Sequence, residues 1–239
     1  MYWNLTGLLM GITSVLISNA FVISYHTSRK NSSHPYRIQH KEPEYNALQE
    51  IKNHLLNPES FAMLIPYLTI TWVFELLPSS YYSLTPSLNW CNVAYQLLIV
   101  DFYTYISHVL EHKISWLYKK SHKPHHKYIN PHLFNAFSGS ILDTTCLIII
   151  PLYLTSQTLT RVNTLEYIIF GTIYSSYFML IHSEYSHPWD KIFRTLGIGT
   201  SSDHNVHHIL QKYNYGHFFT YWDRLFKTYR NPRQVKQIR

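Results

Sequence analysis

Three short stretches of this 239-residue chain bring histidines together at spacings that place their side chains on a common surface. His108-Val-Leu-Glu-His112 carries imidazoles at i and i+4, one turn apart on one face of a helix. His122-Lys-Pro-His125-His126 and His204-Asn-Val-His207-His208 both carry them at i, i+3 and i+4. The former converges if the chain turns helical from Pro124, which a proline in a first turn permits. His182 closes an apolar run much as His108 and His112 do, so the chain reads as two similar halves, each delivering histidine from a hairpin and then an H-x-x-H-H box. Imidazole suits iron, zinc, copper and nickel, and this many rings exceed the coordination of one ion. Two metal ions sharing about four histidines each is the simplest arithmetic. Neutral ligands leave such ions electrophilic, which fits activation of O2 against an unactivated C–H bond.

Metal-bound imidazoles are usually oriented by a carboxylate or carbonyl on the other ring nitrogen. Asp101, Glu111, Glu184, Asp203 and Asp223 are the candidates for that task, and His187 is a candidate extra ligand. His217 reads as a pocket or surface residue; His26, His34, His40, His54 and His132 read as structural or solvated groups. Tyr213–Gly216 can turn over the metal face, Trp222 suits a membrane interface, and Asp223 and Arg224 can bind loops or histidines.

The elements that must position these residues are apolar. Hydrophobic residues make up 46% of the chain and charged residues 14%, low for a soluble surface. Five segments are apolar enough to enter a bilayer, whose core takes about 20 helical residues to cross: Leu5–Tyr25, Phe61–Pro78, Asn92–Leu110, Ile141–Leu159 and Leu165–His182. The first reads as a signal anchor, with its basic stretch after it rather than before it. The second and third form a hairpin through Ser79–Trp90, and the fourth and fifth another through Thr160–Thr164. The three polar regions on the shared side hold 19 of the 20 Lys and Arg residues, leaving Arg161 opposite. The positive-inside rule therefore places the histidine boxes in the cytosol, and accounts for the net charge of +7 without nucleic acid.

No β-barrel alternation is present, so the expected fold is all-α: an integral membrane helical bundle of four to five segments in hairpins. A cytosolic, histidine-rich helical cap holds the di-metal site. Residues 1–60 read as membrane anchor and basic linker, and residues 61–239 as the catalytic unit. Pro66 and Pro151 predict kinks, and Asp101 and Glu75 are carboxylates within apolar segments. Cys91 and Cys146 read as buried free thiols, and no C-x-x-C pair supports zinc. A metal transporter would place its ligands near the bilayer midplane rather than in cytosolic segments.

The three boxes resemble those of the fatty acid hydroxylase and sterol desaturase superfamily, membrane di-iron oxygenases of the endoplasmic reticulum. Within it the chain is most similar to sterol C-5 desaturases. The resemblance rests on Asp101-Phe-x-x-Tyr105-x-x-His108, His122-Lys-Pro-His-His-Lys127, Tyr213-Asn-Tyr-Gly216, Trp222-Asp-Arg-Leu225 and Tyr229-Arg-Asn-Pro232, and covers about Ala94–Pro232. Val109 and Glu111 stand where the family usually carries Arg and Leu, and His217 where it carries glutamine. Ser183-Glu184 is nearer the C-4 methylsterol oxidase pattern.

The resemblance implies two irons held by His108, His112, His122, His125, His126, His182, His204, His207 and His208, with O2 as co-substrate and no catalytic residue beyond the ligands. It implies insertion of the C5–C6 double bond into a Δ7-sterol. The alternative is a sterol or fatty acid hydroxylase or C-4 methylsterol oxidase using the same site. Cytochrome b5 and an NAD(P)H-dependent reductase are the implied electron donors, since the chain carries no dinucleotide fingerprint.

Overall fold

The structure is a computed structural model that describes residues 4–32, 36–41, 43–59 and 61–236. Those residues build helices without any named strand; pairing of extended backbone is confined to isolated bridges Arg37–Tyr185 and Ile198–Phe219. His34 lies outside the described residues.

Three helices are long and apolar enough to cross a membrane: α1 (Thr6–Lys30), α4 (Trp90–Lys113) and α6 (Ile141–Thr158). Between the first two lie α2 (Ala47–Leu56) and α3 (Leu64–Val73). After α4 the chain makes the short α5 (Ser115–Lys120), and after α6 it makes α7 (Thr164–Leu180), α8 (Asp190–Thr195), α9 (Ser201–Leu210) and α10 (Tyr221–Leu225).

The expected second span is corrected. Only Leu64–Val73 of Phe61–Pro78 is α-helical, and 10 residues rise about 15 Å, half of a bilayer core. The chain breaks after Val73 because Glu75 adopts a left-handed conformation at φ 51° and Pro78 follows. Pro66 lies in the first turn of α3, where it costs no helical hydrogen bond. Pro151 follows a π-helical turn at Thr145–Ile149 within α6, which accommodates the missing N–H by shifting the hydrogen-bond register. Cys91 is exposed rather than buried, and both cysteines are free thiols.

Side-chain caps set the helix starts. Asn89 accepts from the Cys91 N–H to open α4, and Asn163 with Glu166 forms a reciprocal capping box on α7. Glu166 also receives the Asn89 N–H at 2.8 Å and the Asn92 amide at 2.9 Å. One carboxylate thus ties the starts of α4 and α7 together. The Ser80 hydroxyl donates to the Thr160 carbonyl and the Tyr81 hydroxyl to the Leu159 carbonyl, so the two hairpin turns lie side by side. The histidine ends of α4 and α7 consequently lie together at the opposite end.

α1 packs along α7 and α3. Tyr67, Trp72, Tyr81, Val100, Phe170 and Tyr174 belong to the buried core of this half of the bundle. Leu9, Ile17, Phe21, Ile70, Phe74 and Ile141 are exposed, an apolar outer surface suited to lipid and not to water. Under it, between α1, α3, α6 and α7, lies a partly open apolar cavity of about 80 Å3.

Candidate metal centre

The boxes are carried by elements of different kinds. His108 and His112 stand on the last two turns of α4. The second box is a 3-10 turn at His125–Lys127 rather than an α-helix. The third box lies on α9, opened by a capping box of Thr200 and Asp203 and closed by Gln211 at φ 56°. His182 follows the end of α7.

Nine histidines converge in two groups. His108, His112, His122, His126 and His207 bring one ring nitrogen each within 4.8 Å of one another, and His125, His182, His204 and His208 do the same. All are buried except the half-buried His112. Neither group is drawn from one half of the chain. Each H-x-x-H-H box is split, its i and i+4 histidines going to one group and its i+3 histidine to the other. In α9 the reason is helical geometry: i and i+4 share a face, while i+3 points about 100° away from i+4.

The hydrogen bonds decide what these rings can bind. A carbonyl oxygen only accepts, so an imidazole bonded to one carries its proton there and offers a lone pair at the other nitrogen. His108 donates Nδ1–H to the Tyr215 carbonyl at 2.7 Å, His207 to Tyr213 at 2.8 Å, His182 to Phe178 at 2.8 Å and His125 to Ser138 at 3.3 Å. The Nε2 atoms of His125 and His182 then face each other at 3.4 Å as lone pair to lone pair. His204 Nε2 lies 2.9 Å from that of His182 and 3.2 Å from that of His208. In the five-histidine group the Nε2 atoms of His108 and His122 are 2.9 Å apart, and those of His126 and His207 are 3.0 Å apart. Facing lone pairs in a dry interior repel, and a cation removes the repulsion. The donor set therefore fits metal ions bound through Nε2, with Nδ1 of His108, His122, His125, His182 and His207 held by the protein.

Electrostatics agree. Burial, reinforced by neighbouring imidazoles, pushes His122, His126, His204, His207 and His208 well below the ordinary imidazole range. Burial holds His125 at about 4. The rings are neutral at physiological pH, as ligation requires.

Of the candidate orienting carboxylates, Glu111 lies beside His122, and the other four take other places. Asp101 accepts the backbone N–H groups of His217, Phe218 and Phe219 at 3.0, 2.7 and 2.9 Å. Asp223 accepts those of Tyr215 and Gly216 at 2.9 and 2.8 Å, and burial lifts its carboxyl to about 6. Both therefore hold the loop after α9, and it is the loop's Tyr213 and Tyr215 carbonyls that hold His207 and His108. Gly216 is required in that loop because a Cβ would overlap the Phe219 carbonyl oxygen.

Asp203 caps α9 and accepts the Tyr229 hydroxyl at 3.1 Å. Glu184 bonds His26 at 2.9 Å and accepts the Tyr45 hydroxyl at 2.9 Å, tying α1 to the cap. Glu111 Oε2 lies 3.8 Å from His122 Nδ1. His187 joins neither group: Tyr25 engages its Nδ1 at 3.0 Å and Ser201 its Nε2 at 3.2 Å. Sequence reasoning missed Asp143, whose Oδ1 lies 2.7 Å from His122 Nδ1. The available signal was a carboxylate at the head of an apolar segment. His26, His54 and His132 are buried, whereas His40 is exposed.

A much smaller void of about 10 Å3, lined by His122, His125 and His217, adjoins the two groups. It shares Phe137, Thr144, Ile148 and Phe178 with the larger apolar cavity. Along α7 an aromatic row of Tyr167, Phe170, Tyr174, Phe178 and His182 runs beside this path, successive ring centroids 5.2–6.2 Å apart.

Comparison with known proteins gives this arrangement a family. The model described as fatty acid hydroxylase matches residues 93–228, from α4 through the loop after α10. The chain belongs to the fatty acid hydroxylase family. This family member is 44% identical over 231 residues to a protein of Phaeodactylum tricornutum named alternative squalene epoxidase, covering 95% of the chain and 66% of the relative. It is 31% identical over 171 residues to the cholesterol 25-hydroxylase-like protein of Danio rerio, covering 69% and 66%. It is 29% identical over 179 residues to the Delta(7)-sterol 5(6)-desaturase of Saccharomyces cerevisiae, covering 69% of the chain and 45% of the relative. The hydroxylase family member thus spans between about half and two thirds of these relatives' lengths. No solved structure matches it.

Proposed function

We propose that this protein is a di-iron membrane oxygenase that epoxidises a linear triterpene of the squalene class. The observation that carries the lipid reading is the apolar cavity between the membrane helices, which shares the wall residues Phe137, Thr144, Ile148 and Phe178 with the small void beside His122 and His125. A cavity with so largely apolar a lining, open on one side towards the lipid-facing surface, suits a hydrocarbon better than a polar substrate. The choice of squalene is supported by the diatom relative: similarity over 95% of the chain necessarily includes α1 and α3, which line the cavity.

Bound irons would supply O2 binding and electron transfer, the five-histidine group holding one and the four-histidine group the other. The protein's own part is positional. Phe137 and Phe178 narrow the path so that one end of the chain reaches the histidines, and the apolar wall excludes water from the reaction. One oxygen atom of O2 bridges the two carbons of the terminal double bond. The other leaves as water after taking up two electrons and two protons.

The electrons come from a separate redox protein, for which cytochrome b5 with its NAD(P)H-dependent reductase is the proposed pair. An open groove lined by Lys191, Arg194, Arg224 and Arg233 gives the cap a basic face suited to an acidic donor. We place the cap in the cytosol and the protein in the endoplasmic reticulum membrane, on the distribution of Lys and Arg and on family likeness.

A second reading, C-5(6) desaturation of a Δ7-sterol, is favoured by the Tyr213–Gly216 and Trp222–Leu225 segments and by the yeast relative. Expression in yeast strains lacking either their own squalene epoxidase or their own C-5 desaturase separates the two. Mass spectrometry of extracted lipids should show the squalene epoxide and restored sterols in the first strain only. A diene sterol in the second strain, with squalene untouched in the first, would reverse the assignment.

A further inference from the structure

His217 has no task in the metal site, yet it occupies the point where the metal groups and the lipid path meet. Its ring is 4% exposed. It lies 4.9 Å, centroid to centroid, from His108 of the five-histidine group, 5.3 Å from His204 of the four-histidine group, and 4.9 Å from Phe178 of the neck. It lines the smaller chamber with His122 and His125.

The backbone fixes it there, because the His217 N–H donates to Asp101 at 3.0 Å. Its ring nitrogens sit in neither ligand set, and the buried Nδ1 has no hydrogen-bond partner among the described residues. Nδ1 of His126, His204 and His208 is likewise without a partner, but each of those rings has a nitrogen turned to its neighbours' ring nitrogens, which His217 does not. A buried polar group without a partner costs about 1–3 kcal/mol, so it is kept for a partner that arrives.

We propose that His217 is the polar contact for the oxygen-bearing end of the lipid: its ring N–H donates a hydrogen bond to an epoxide or hydroxyl oxygen on the carbon that reaches the metal groups. This rests on the apolar cavity being the lipid site. Phe137, Ile148 and Phe178 offer that oxygen nothing. The Thr144 hydroxyl is engaged by the Glu59 carbonyl, and Asp143 Oδ1 by His122. A hydrocarbon end makes no use of the imidazole, whereas the oxygenated end satisfies it. The chamber therefore prefers an oxygenated isoprenoid to the parent hydrocarbon, and holds the oxygenated carbon at one place.

The test is a binding comparison without turnover. The full chain, metal-loaded in lipid nanodiscs under anaerobic conditions, is titrated with squalene and with 2,3-oxidosqualene. One net hydrogen bond predicts about fivefold tighter binding of the epoxide. His217→Phe should abolish that preference while keeping metal content and thermal midpoint, and His217→Gln, which restores a donor, should retain it. Wild-type protein that binds both lipids equally overturns the His217 assignment alone, as does a Phe variant that keeps the preference. Loss of metal in both His217→Phe and His217→Gln would make the residue a ligand instead and overturn the assignment. Wild-type protein that binds neither lipid overturns the lipid-cavity reading and this inference together.

Discussion

Replacing Asp101 should strip one metal ion and leave the other. Asp101 Oδ1 accepts the N–H groups of His217 and Phe218, and Oδ2 that of Phe219. Asp101→Ala leaves three buried donors without an acceptor. At about 1–3 kcal/mol each, the native loop becomes untenable by about 3 kcal/mol or more. Asp101→Asn keeps the acceptor at one position but sets an amide N–H against the Phe219 N–H, a loss of about 1–3 kcal/mol. For a chain of this size, 3 kcal/mol lowers the thermal midpoint by about 6–12 °C.

The consequence for metal follows from which carbonyls the loop carries. Tyr215 and Tyr213 hold His108 and His207, both in the five-histidine group. The four-histidine group draws on Phe178 and Ser138 instead. Loss of such support weakens metal affinity about 10–100-fold. Purified protein dialysed against a graded chelator and measured by plasma mass spectrometry should therefore lose one equivalent of iron early and retain the second. The asparagine variant should fall between the alanine variant and wild type. Simultaneous loss of both irons, or wild-type retention of both in the alanine variant, would refute the chain of support from Asp101 through the loop to His108 and His207.

Three further outcomes are expected. No heavy atom lies within 4 Å of a Cβ built on Gly171, which lines the apolar cavity from α7. Gly171→Ala should raise stability by up to about 1 kcal/mol through helix propensity, while Gly171→Phe should keep the fold but cut lipid turnover at least tenfold, as read by product per unit time at saturating reductant. Asp143→Ala frees His122 Nδ1 and should weaken the five-histidine group about 10–100-fold, visible as selective loss of one iron. For pH, burial depresses His54 and His132 to about 4 from an ordinary value of 6.5. Between those values the unfolded chain binds protons that the folded chain does not, so stability is flat above about pH 6.5 and falls as pH drops from there towards 4. Thermal melts of the metal-free protein across that range check the sign.

How much of this was legible in the sequence varies residue by residue. The nine histidines that cluster could be listed because i, i+3 and i+4 spacing is local geometry, fixed by the helix or turn that carries each box. The membrane helices were legible where apolar runs are long and uninterrupted, as in α1 and α4. Phe61–Pro78 was misread because hydropathy averages over a window and does not register the break at Glu75 and Pro78. The chemistry the boxes suit, several neutral imidazoles gathered on one side of an apolar bundle, was likewise set by residue type and spacing.

Tertiary structure alone decided how the histidines divide. Which box supplies which group depends on the relative rotation of α4, α9 and the turn at His125, and no local spacing encodes that. The same holds for support. Asp101 lies two turns before His108 on α4, so the sequence suggested a direct bond, yet it holds a loop 116 residues later. Asp143 binds His122 from 21 residues away. His217 was an unremarkable loop histidine in the sequence, because its position between two histidine groups and beside an apolar cavity exists only once three distant segments pack. Ligand identity is a property of side chains and short spacings; orientation, division and access are properties of which distant surfaces bury one another.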